Sequence, residues 1–228
     1  MPLSRHLQFA LLPGRCLLCD APSRRFMDLC SHCQHDLPWL LTACDRCALP
    51  LFSADSFCLH CLSEPPPFEQ TCCAFFYAWP ISHLVNDFKT NGNLTSGRIL
   101  AELVCHSQPR PMVDLIIPVP LHPRAQRKRG FNQAGEIASR LSTYWDIRLD
   151  AKNCQRVRNT KMQKQLKRAD RLRNLRGAFS AKQDFQGERS LIVDDVITTA
   201  ATVSALSSLL LSRGAGAISV MGIARTLK

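Results

Sequence analysis

The amino-acid sequence predicts a two-part protein, in which a small cysteine-rich domain precedes an α/β domain whose parallel sheet is flanked by helices. Four regularly spaced C-x-x-C pairs lie within the first 61 residues, and three consecutive prolines follow at positions 65–67. Beyond them, an apolar strand, a polar loop and a helix-like stretch occur in succession twice, a pattern typical of parallel sheets. We therefore expect a cysteine domain at 1–64, a proline linker at 65–70 and the α/β domain at 71–228.

The cysteine pairs recur with a step of 14 residues and predict two zinc sites. One C-x-x-C turn directs two thiolates at one ion, so a tetrahedral zinc ion needs two turns. Consecutive pairs give one site from Cys16, Cys19, Cys30 and Cys33, and a second from Cys44, Cys47, Cys58 and Cys61. Joining the first pair to the third and the second to the fourth has the same spacing and stays open. Four thiolates leave no position for substrate, so both ions are expected to be structural.

The overall composition, with 46% hydrophobic and 21% charged residues, is that of a folded globular protein. No apolar run reaches the roughly 18 residues that a membrane span requires. The segment 6–13 is short and lacks a cleavage site, so we interpret it as the mature N-terminus and expect a cytoplasmic protein. A disulfide framework, the alternative use of the cysteines, would require export to an oxidising compartment.

Charge is divided unevenly along the chain. Residues 1–70 contain five Lys/Arg and seven Asp/Glu, whereas residues 71–228 contain 24 and 11. A basic surplus of this kind attracts polyanions, and both phosphorylated small molecules and nucleic acid satisfy it.

Residues 190–225 predict a sugar-phosphate site. The run 191–193 is typical of a buried parallel strand, the stretch up to Ser212 of a helix that Gly214 terminates, and 217–224 of a further strand. Two carboxylates at the end of a strand can accept hydrogen bonds from a diol, while hydroxyls and the amides of a helix N-terminus bind phosphate. The candidate binding residues are Asp194, Asp195, Thr198, Thr199, Ala200, Ala201 and Thr202.

A second anionic subsite is predicted after another apolar run, 115–119. A proline-rich turn and a basic loop ending in Arg129 and Gly130 follow this run, and 133–142 has helical spacing. A basic loop at the end of a strand suits a pyrophosphate group. The alternative interpretation is a solvated run of charge.

The segment DDVITT resembles the PRPP-binding loop of type I phosphoribosyltransferases, in which the acids contact the ribose hydroxyls and the threonine-rich turn surrounds the 5′-phosphate. Ala200 stands where that family most often has glycine. Together with the string PVPLHPRAQRKRGFNQ and the paired C-x-x-C units, which resemble a double zinc ribbon, the loop is similar to the ComF family, including GntX-type proteins. The resemblance implies a type I phosphoribosyltransferase-like parallel sheet preceded by a double zinc ribbon.

The resemblance also gives a role to the basic segment 152–176, which contains ten Lys/Arg and one acid. In type I phosphoribosyltransferases the matching stretch closes over the reactive pyrophosphate, so Lys161 and Lys164 become candidate catalytic contacts beside Asp194 and Asp195. Lys167 and Arg168 are further candidates for this contact. The same charges would neutralise a DNA backbone, and a merely solvated basic face is the third interpretation.

The ComF resemblance implies natural transformation, with external DNA handled at the cytoplasmic side of the inner membrane. The implied ligands are PRPP or another ribose phosphate, with magnesium if the protein is catalytic, and single-stranded DNA. A DNA-uptake helicase or channel component is the implied partner. A phosphoribosyltransferase in nucleotide salvage and a non-catalytic single-stranded DNA adaptor are the alternatives. Purine-salvage members often carry an aspartate where this chain has Thr198, which disfavours a purine acceptor.

Overall fold

A computed structural model describes residues 14–52, 56–158, 175 and 177–227. In this part of the chain the helices and strands are, in order, α1 (Ser31–His35), α2 (Leu59–Ser63), β1 (Gln70–Phe76), α3 (Ile81–Asn86), a π-helical turn (Asp87–Asn91), α4 (Leu94–Ser107), β2 (Leu115–Pro118), α5 (Pro123–Arg129), α6 (Gln133–Trp145), β3 (Arg148–Leu149), β4 (Cys154–Arg156), β5 (Phe179–Ala181), β6 (Arg189–Ile197), α7 (Ala201–Ser212) and β7 (Ala217–Arg225). None of the described helices is both long and apolar enough to span a bilayer.

Five strands form one parallel sheet in the order β1-β7-β6-β2-β3, and β4 pairs with β5 in a separate antiparallel hairpin. β7 is almost continuously buried, and so is the run 190–193 of β6, as expected of strands with helices on both faces. On one face, β6 contributes Val193 to a core with residues of α4 and α6, such as Ile99 and Leu141. On the other, Ile192 packs with Leu206 of α7. The predicted helix-flanked parallel sheet is confirmed.

β6 is longer than the sequence pattern indicated. We expected the strand to end at Val193 and the two aspartates to lie in the loop beyond it. The strand instead continues to Ile197, because β7 offers pairing partners as far as Arg225. The aspartates therefore lie within the C-terminal half of a central strand, which fixes their backbone.

The cysteine-rich region packs directly on the outer edge of the sheet. The backbone of 38–40 runs antiparallel beside β1, with Leu40 N donating to Ala74 O (2.9 Å) and Phe76 N donating to Pro38 O (2.8 Å). The ring of Trp39 lies 4.5 Å from that of Phe75, measured between centroids. Unpaired edge strands promote association between molecules, and this strip covers one. The domain limits 1–64 and 71–228 stay predictions.

Candidate functional site

The eight C-x-x-C cysteines form two clusters, in each of which all four Sγ atoms lie within 4.8 Å of one another. The first cysteine cluster contains Cys16, Cys19, Cys30 and Cys33, and the second contains Cys44, Cys47, Cys58 and Cys61. Consecutive pairs therefore come together, and the interleaved arrangement does not occur. All the cysteines are free thiols, so the disulfide alternative is not supported.

The sulfur spacing fits zinc. Sulfurs bonded to a tetrahedral zinc ion at about 2.3 Å lie about 3.8 Å from each other. Cys19 Sγ and Cys30 Sγ are 3.8 Å apart, and Cys47 Sγ and Cys58 Sγ are 3.7 Å apart. Each cluster is thus a closed four-thiolate site whose ion would be structural.

In each cluster, backbone amides favour the thiolate of one cysteine, the form that binds metal. Burial by itself would raise the pKa of Cys16, but the amides of Cys30, Leu18 and Cys19 outweigh it and lower the pKa to about 6. The second cysteine cluster repeats this arrangement. There, backbone amides again outweigh burial and lower the pKa of Cys44 to about 7.

Asp194 and Asp195, called here the acid pair, stand at the end of β6. Their carboxylates are held by their own chain, since Asp194 Oδ1 accepts from the Asp195 amide (2.9 Å) and Asp195 Oδ1 accepts from the Val196 amide (2.8 Å). The other oxygen of Asp195 accepts from Lys89 Nζ at 2.8 Å. Lys89 is a site residue that sequence reasoning missed.

A polar network fixes the π-helical turn that carries Lys89. The Asp87 carboxylate accepts hydrogen bonds from Ser96 Oγ (2.7 Å), Asn91 Nδ2 (2.9 Å) and Asn93 Nδ2 (2.7 Å). These bonds, that of Ser96 foremost, lower the pKa of Asp87. Because these hydrogen bonds fix the turn, Lys89 has a defined position beside the acid pair.

The surroundings of Asp194 favour its protonated form. Burial raises its pKa to about 8, the negative charge of Asp195 adds to the shift, and Lys89 opposes it. Ionising both carboxyl groups beside a single lysine would leave a net negative charge, which a bound cation or hydrogen-bond donor would relieve.

The β6–α7 turn, residues 198–200, links the acid pair to the N-terminus of α7. Thr198 is exposed, Thr199 and Thr202 are half-buried, and the small Ala200 and Ala201 are buried. No side chain caps the first turn of α7. The helix amides and the threonine hydroxyls therefore offer hydrogen-bond donors to a phosphate at this turn.

Ala200 has a left-handed backbone, with φ 58°. Alanine, at a position where type I phosphoribosyltransferases most often have glycine, is strained here. The left-handed backbone region costs a residue with a Cβ about 1 kcal/mol. Ala200→Gly should raise the free energy of unfolding by about 0.5 kcal/mol, once the greater freedom of unfolded glycine is subtracted. Ala200→Val should lower it by about 2 kcal/mol, since a branched side chain fits neither the backbone nor the packing.

Urea unfolding measures these changes. Ala205→Gly is the matched control, because Ala205 lies inside α7, where glycine costs about 1 kcal/mol. An equal loss of stability in Ala200→Gly and Ala205→Gly would contradict strain at Ala200.

The second predicted subsite lies beside the acid pair but has a different local structure from the expected loop. Residues 123–129 form the short helix α5, because proline occupies its first position, the His122 side chain caps it and Gly130 ends it with φ 84°. Arg129 is exposed, and its Nη1 donates to Gln133 Oε1 at 3.2 Å. Val119 N donates to Val193 O (2.8 Å), so this loop leaves the sheet next to the acid pair.

Two further contacts complete the surroundings. The rings of Phe88 and Phe131 lie 5.2 Å apart and join the turn of Lys89 to the loop after α5. Arg156 on β4 is a second cation missed by the sequence analysis. Burial lowers its pKa and the charge of Asp194 opposes that shift. The predicted contacts Lys161 and Lys164, with Lys167 and Arg168, lie outside the described residues.

Comparison with known proteins separates two matching regions. Residues 7–62 match the family described as double zinc ribbon domain, and residues 127–226 match the phosphoribosyl transferase domain. A purine phosphoribosyltransferase structure from Pyrococcus horikoshii is 18% identical and covers 69% of this chain and 88% of that one. Its TM-score is 0.32, a level of likeness that carries no inference.

Full-length relatives are more informative. The DNA utilization protein YhgH of Salmonella typhi is 34% identical over 224 residues, which are 95% of this chain and 99% of the relative. Competence protein F of Haemophilus influenzae is 34% identical over 207 residues, 86% of this chain and 90% of the relative. With a double zinc ribbon followed by a phosphoribosyltransferase domain, and with these relatives along nearly its whole length, the chain belongs to the ComF family.

Proposed function

We propose that this protein binds PRPP, or another ribose 5-phosphate group, and acts on the cytoplasmic side in natural transformation or another use of external DNA. The observation that carries the ligand is an acid pair near the C-terminal end of β6, which a short turn connects to a helix N-terminus that no side chain caps. The acid pair would accept the ribose hydroxyls, and the β6–α7 turn would enclose the 5′-phosphate. The proposed role in the use of external DNA is inferred from the relatives named for DNA utilization and competence.

The remaining groups have complementary roles in this proposal. Arg129 and the backbone at Gly130 would contact the pyrophosphate, while a magnesium ion would add positive charge beside it. The carboxyl oxygens of Asp194 and Asp195 are ligands that magnesium prefers. Lys89 Nζ lies 2.8 Å from the Asp195 carboxylate. Part of the negative charge of the acid pair is therefore already neutralised in the ligand-free protein. Lys161 and Lys164 stay candidates for closing over the ligand.

The match of residues 127–226 to a phosphoribosyl transferase domain favours a second candidate, a phosphoribosyltransferase in nucleotide salvage. That enzyme would release pyrophosphate from PRPP in the presence of one nitrogen acceptor. A nucleobase screen for pyrophosphate release tests it.

Thermal unfolding with PRPP and magnesium tests the proposed ligand. At about 100 times the dissociation constant the ligand should add roughly 2.7 kcal/mol to the stability of the wild type. In Asp194→Asn/Asp195→Asn we expect this ligand-induced gain to vanish. The gain, rather than the absolute melting temperature, is compared, since removing buried carboxylates changes stability by itself.

Asp184→Asn is the matched control, because Asp184 is an exposed carboxylate paired with Arg213 at the opposite end of α7. It should keep the full gain. No gain in the wild type would contradict the proposed ligand. Fluorescence anisotropy with labelled single-stranded DNA separates the remaining alternative, since DNA binding without protection by PRPP identifies an adaptor.

A further inference from the structure

One buried side chain joins the second cysteine cluster to the β6–α7 turn. Arg225, the last residue of β7, is 3% exposed. Its Nε donates to the carbonyl of Cys47 (2.9 Å), and its Nη1 donates to the carbonyls of Ile197 (3.1 Å), Thr226 (2.8 Å) and Thr198. Cys47 is a member of the second cysteine cluster, and Thr198 is the first residue of the β6–α7 turn.

The chemistry of the guanidinium makes this connection stiff. Its donors lie in one plane at fixed angles, so a shift at one end is transmitted to the other. A buried cation needs its carbonyl partners, because losing one leaves a charge-assisted hydrogen bond unmade in a medium of low dielectric. Arg225 can therefore keep all its bonds only while the Cys47 carbonyl and the turn hold their relative positions.

The peptide segment between Cys44 and Cys47 is tied to the sheet from a second side. The Thr71 amide on β1 donates to the Asp45 carbonyl (2.9 Å), and the Thr71 hydroxyl donates to the Arg46 carbonyl at 2.6 Å. Ala48, which follows Cys47, lies in the same buried cluster as Ile197 and Ala200. The second cysteine cluster and the β6–α7 turn therefore border one hydrophobic cluster, in addition to being connected through Arg225.

We infer that Arg225 is a positioning residue through which zinc in the second cysteine cluster sets the geometry of the ribose-phosphate site. With zinc bound, the Cys47 carbonyl is held in place and Arg225 fixes the peptides of Ile197 and Thr198. By linkage, a ribose phosphate bound at the turn raises the affinity of this cluster for zinc, because coupling between two sites is reciprocal in binding free energy. The inference rests on the proposed function and adds to it a link between metal and ligand.

The test measures zinc affinity and ligand binding on the full-length, zinc-loaded protein. A chromophoric chelator of known zinc affinity competes with the protein for zinc at equilibrium, with and without ribose 5-phosphate. The Cys19→Ser variant, which alters an exposed ligand of the first cysteine cluster, assigns the two steps of the titration to the two clusters. In the wild type we expect the ligand to raise the zinc affinity of the second cluster within the range of about 5- to 150-fold that is typical of such coupling, and to leave the affinity of the first cluster unchanged.

Arg225→Lys retains the charge but cannot reach both sides, so it should bind ribose 5-phosphate more weakly by calorimetry and lose the effect of the ligand on zinc affinity. Arg213→Lys, at a partly exposed arginine paired with Asp184, is the matched control and should behave as the wild type. A purely structural role for Arg225 would lower stability in urea yet leave the ligand effect intact, and that result would overturn the inference.

The outcomes separate the inference from the proposed function. If the wild type binds ribose 5-phosphate but has the same zinc affinity with and without it, the coupling is absent and the proposed function stands. If calorimetry finds no binding to the wild type, the proposed ligand fails and the coupling fails with it. Should Arg225→Lys not retain two zinc ions, Arg225→Gln replaces it, and the wild-type comparison still decides whether coupling exists.

Discussion

Removal of both zinc ions should unfold the cysteine-rich region and expose the outer edge of β1. Structural zinc sites supply about 10–16 kcal/mol of apparent binding free energy in zinc-finger peptides at neutral pH, more than a region of this size gains from its own core. Leu29 and Leu37 lie in the core cluster that contains Phe75, so the damage should reach the sheet. The expected stoichiometry, measured by elemental analysis, is two zinc ions per chain.

Hydrogen exchange locates the effect of zinc removal. After chelation, the amides of Leu40 and Phe76, which pair across the junction, should lose their protection, while that of Ile192 on the central strand should keep it. Returning zinc should restore protection and magnesium should not. A stoichiometry of one or none, or unchanged protection at Leu40 in the stripped protein, would contradict the paired four-cysteine sites.

Replacement of Asp194 by asparagine should change how stability depends on pH. The pKa of Asp194 is raised from 3.8 to about 8, so the folded chain keeps a proton that the unfolded chain releases over this interval. The unfolded state then binds fewer protons, and the free energy of unfolding falls as the pH rises from about 4 to 8. Each unit of pKa is worth about 1.4 kcal/mol, so the wild type should lose a few kcal/mol that Asp194→Asn keeps.

Urea unfolding between pH 5 and pH 8, without ligand or magnesium, measures this difference. Subtracting the variant from the wild type at each pH cancels the titration of groups that both share. Asp184→Asn should run parallel to the wild type, because this carboxylate is exposed. A parallel profile for Asp194→Asn as well would show that its carboxyl is not buried as described. Asp194→Asn should be the more stable protein at the higher pH and should also lose ribose-phosphate binding. This is the behaviour expected when a functional group lowers stability.

The sequence predicted those parts of the site whose members are neighbours along the chain. A C-x-x-C turn contains two ligands of one ion, and the acid pair lies only a few residues before the β6–α7 turn. Only the structure could decide how the turns combine. Signals for α5 were present in the sequence, namely Pro123 at its first position and Gly130 after its end, but the basic run favoured a loop.

The missed residues are those that depend on tertiary packing. Lys89 lies 106 positions before its partner Asp195, in a turn whose only local sign is the polar run from Asp87 to Asn93. Arg225 looks like an ordinary basic residue at the end of an apolar strand, and its burial follows from the segment that packs over it. Counting charges cannot identify a residue of this kind, because the sequence does not distinguish a buried arginine from one on the surface.

The strip 38–40 serves the sheet as an outer, sixth strand that the second half of the chain does not supply. The two halves are therefore not interchangeable modules. An unrelated metal-binding segment attached in front of β1 would leave the amides and carbonyls of that strand free to pair with another molecule. A different cysteine-rich domain could therefore replace this one only if it kept the packing around Trp39 as well as the metal ligands.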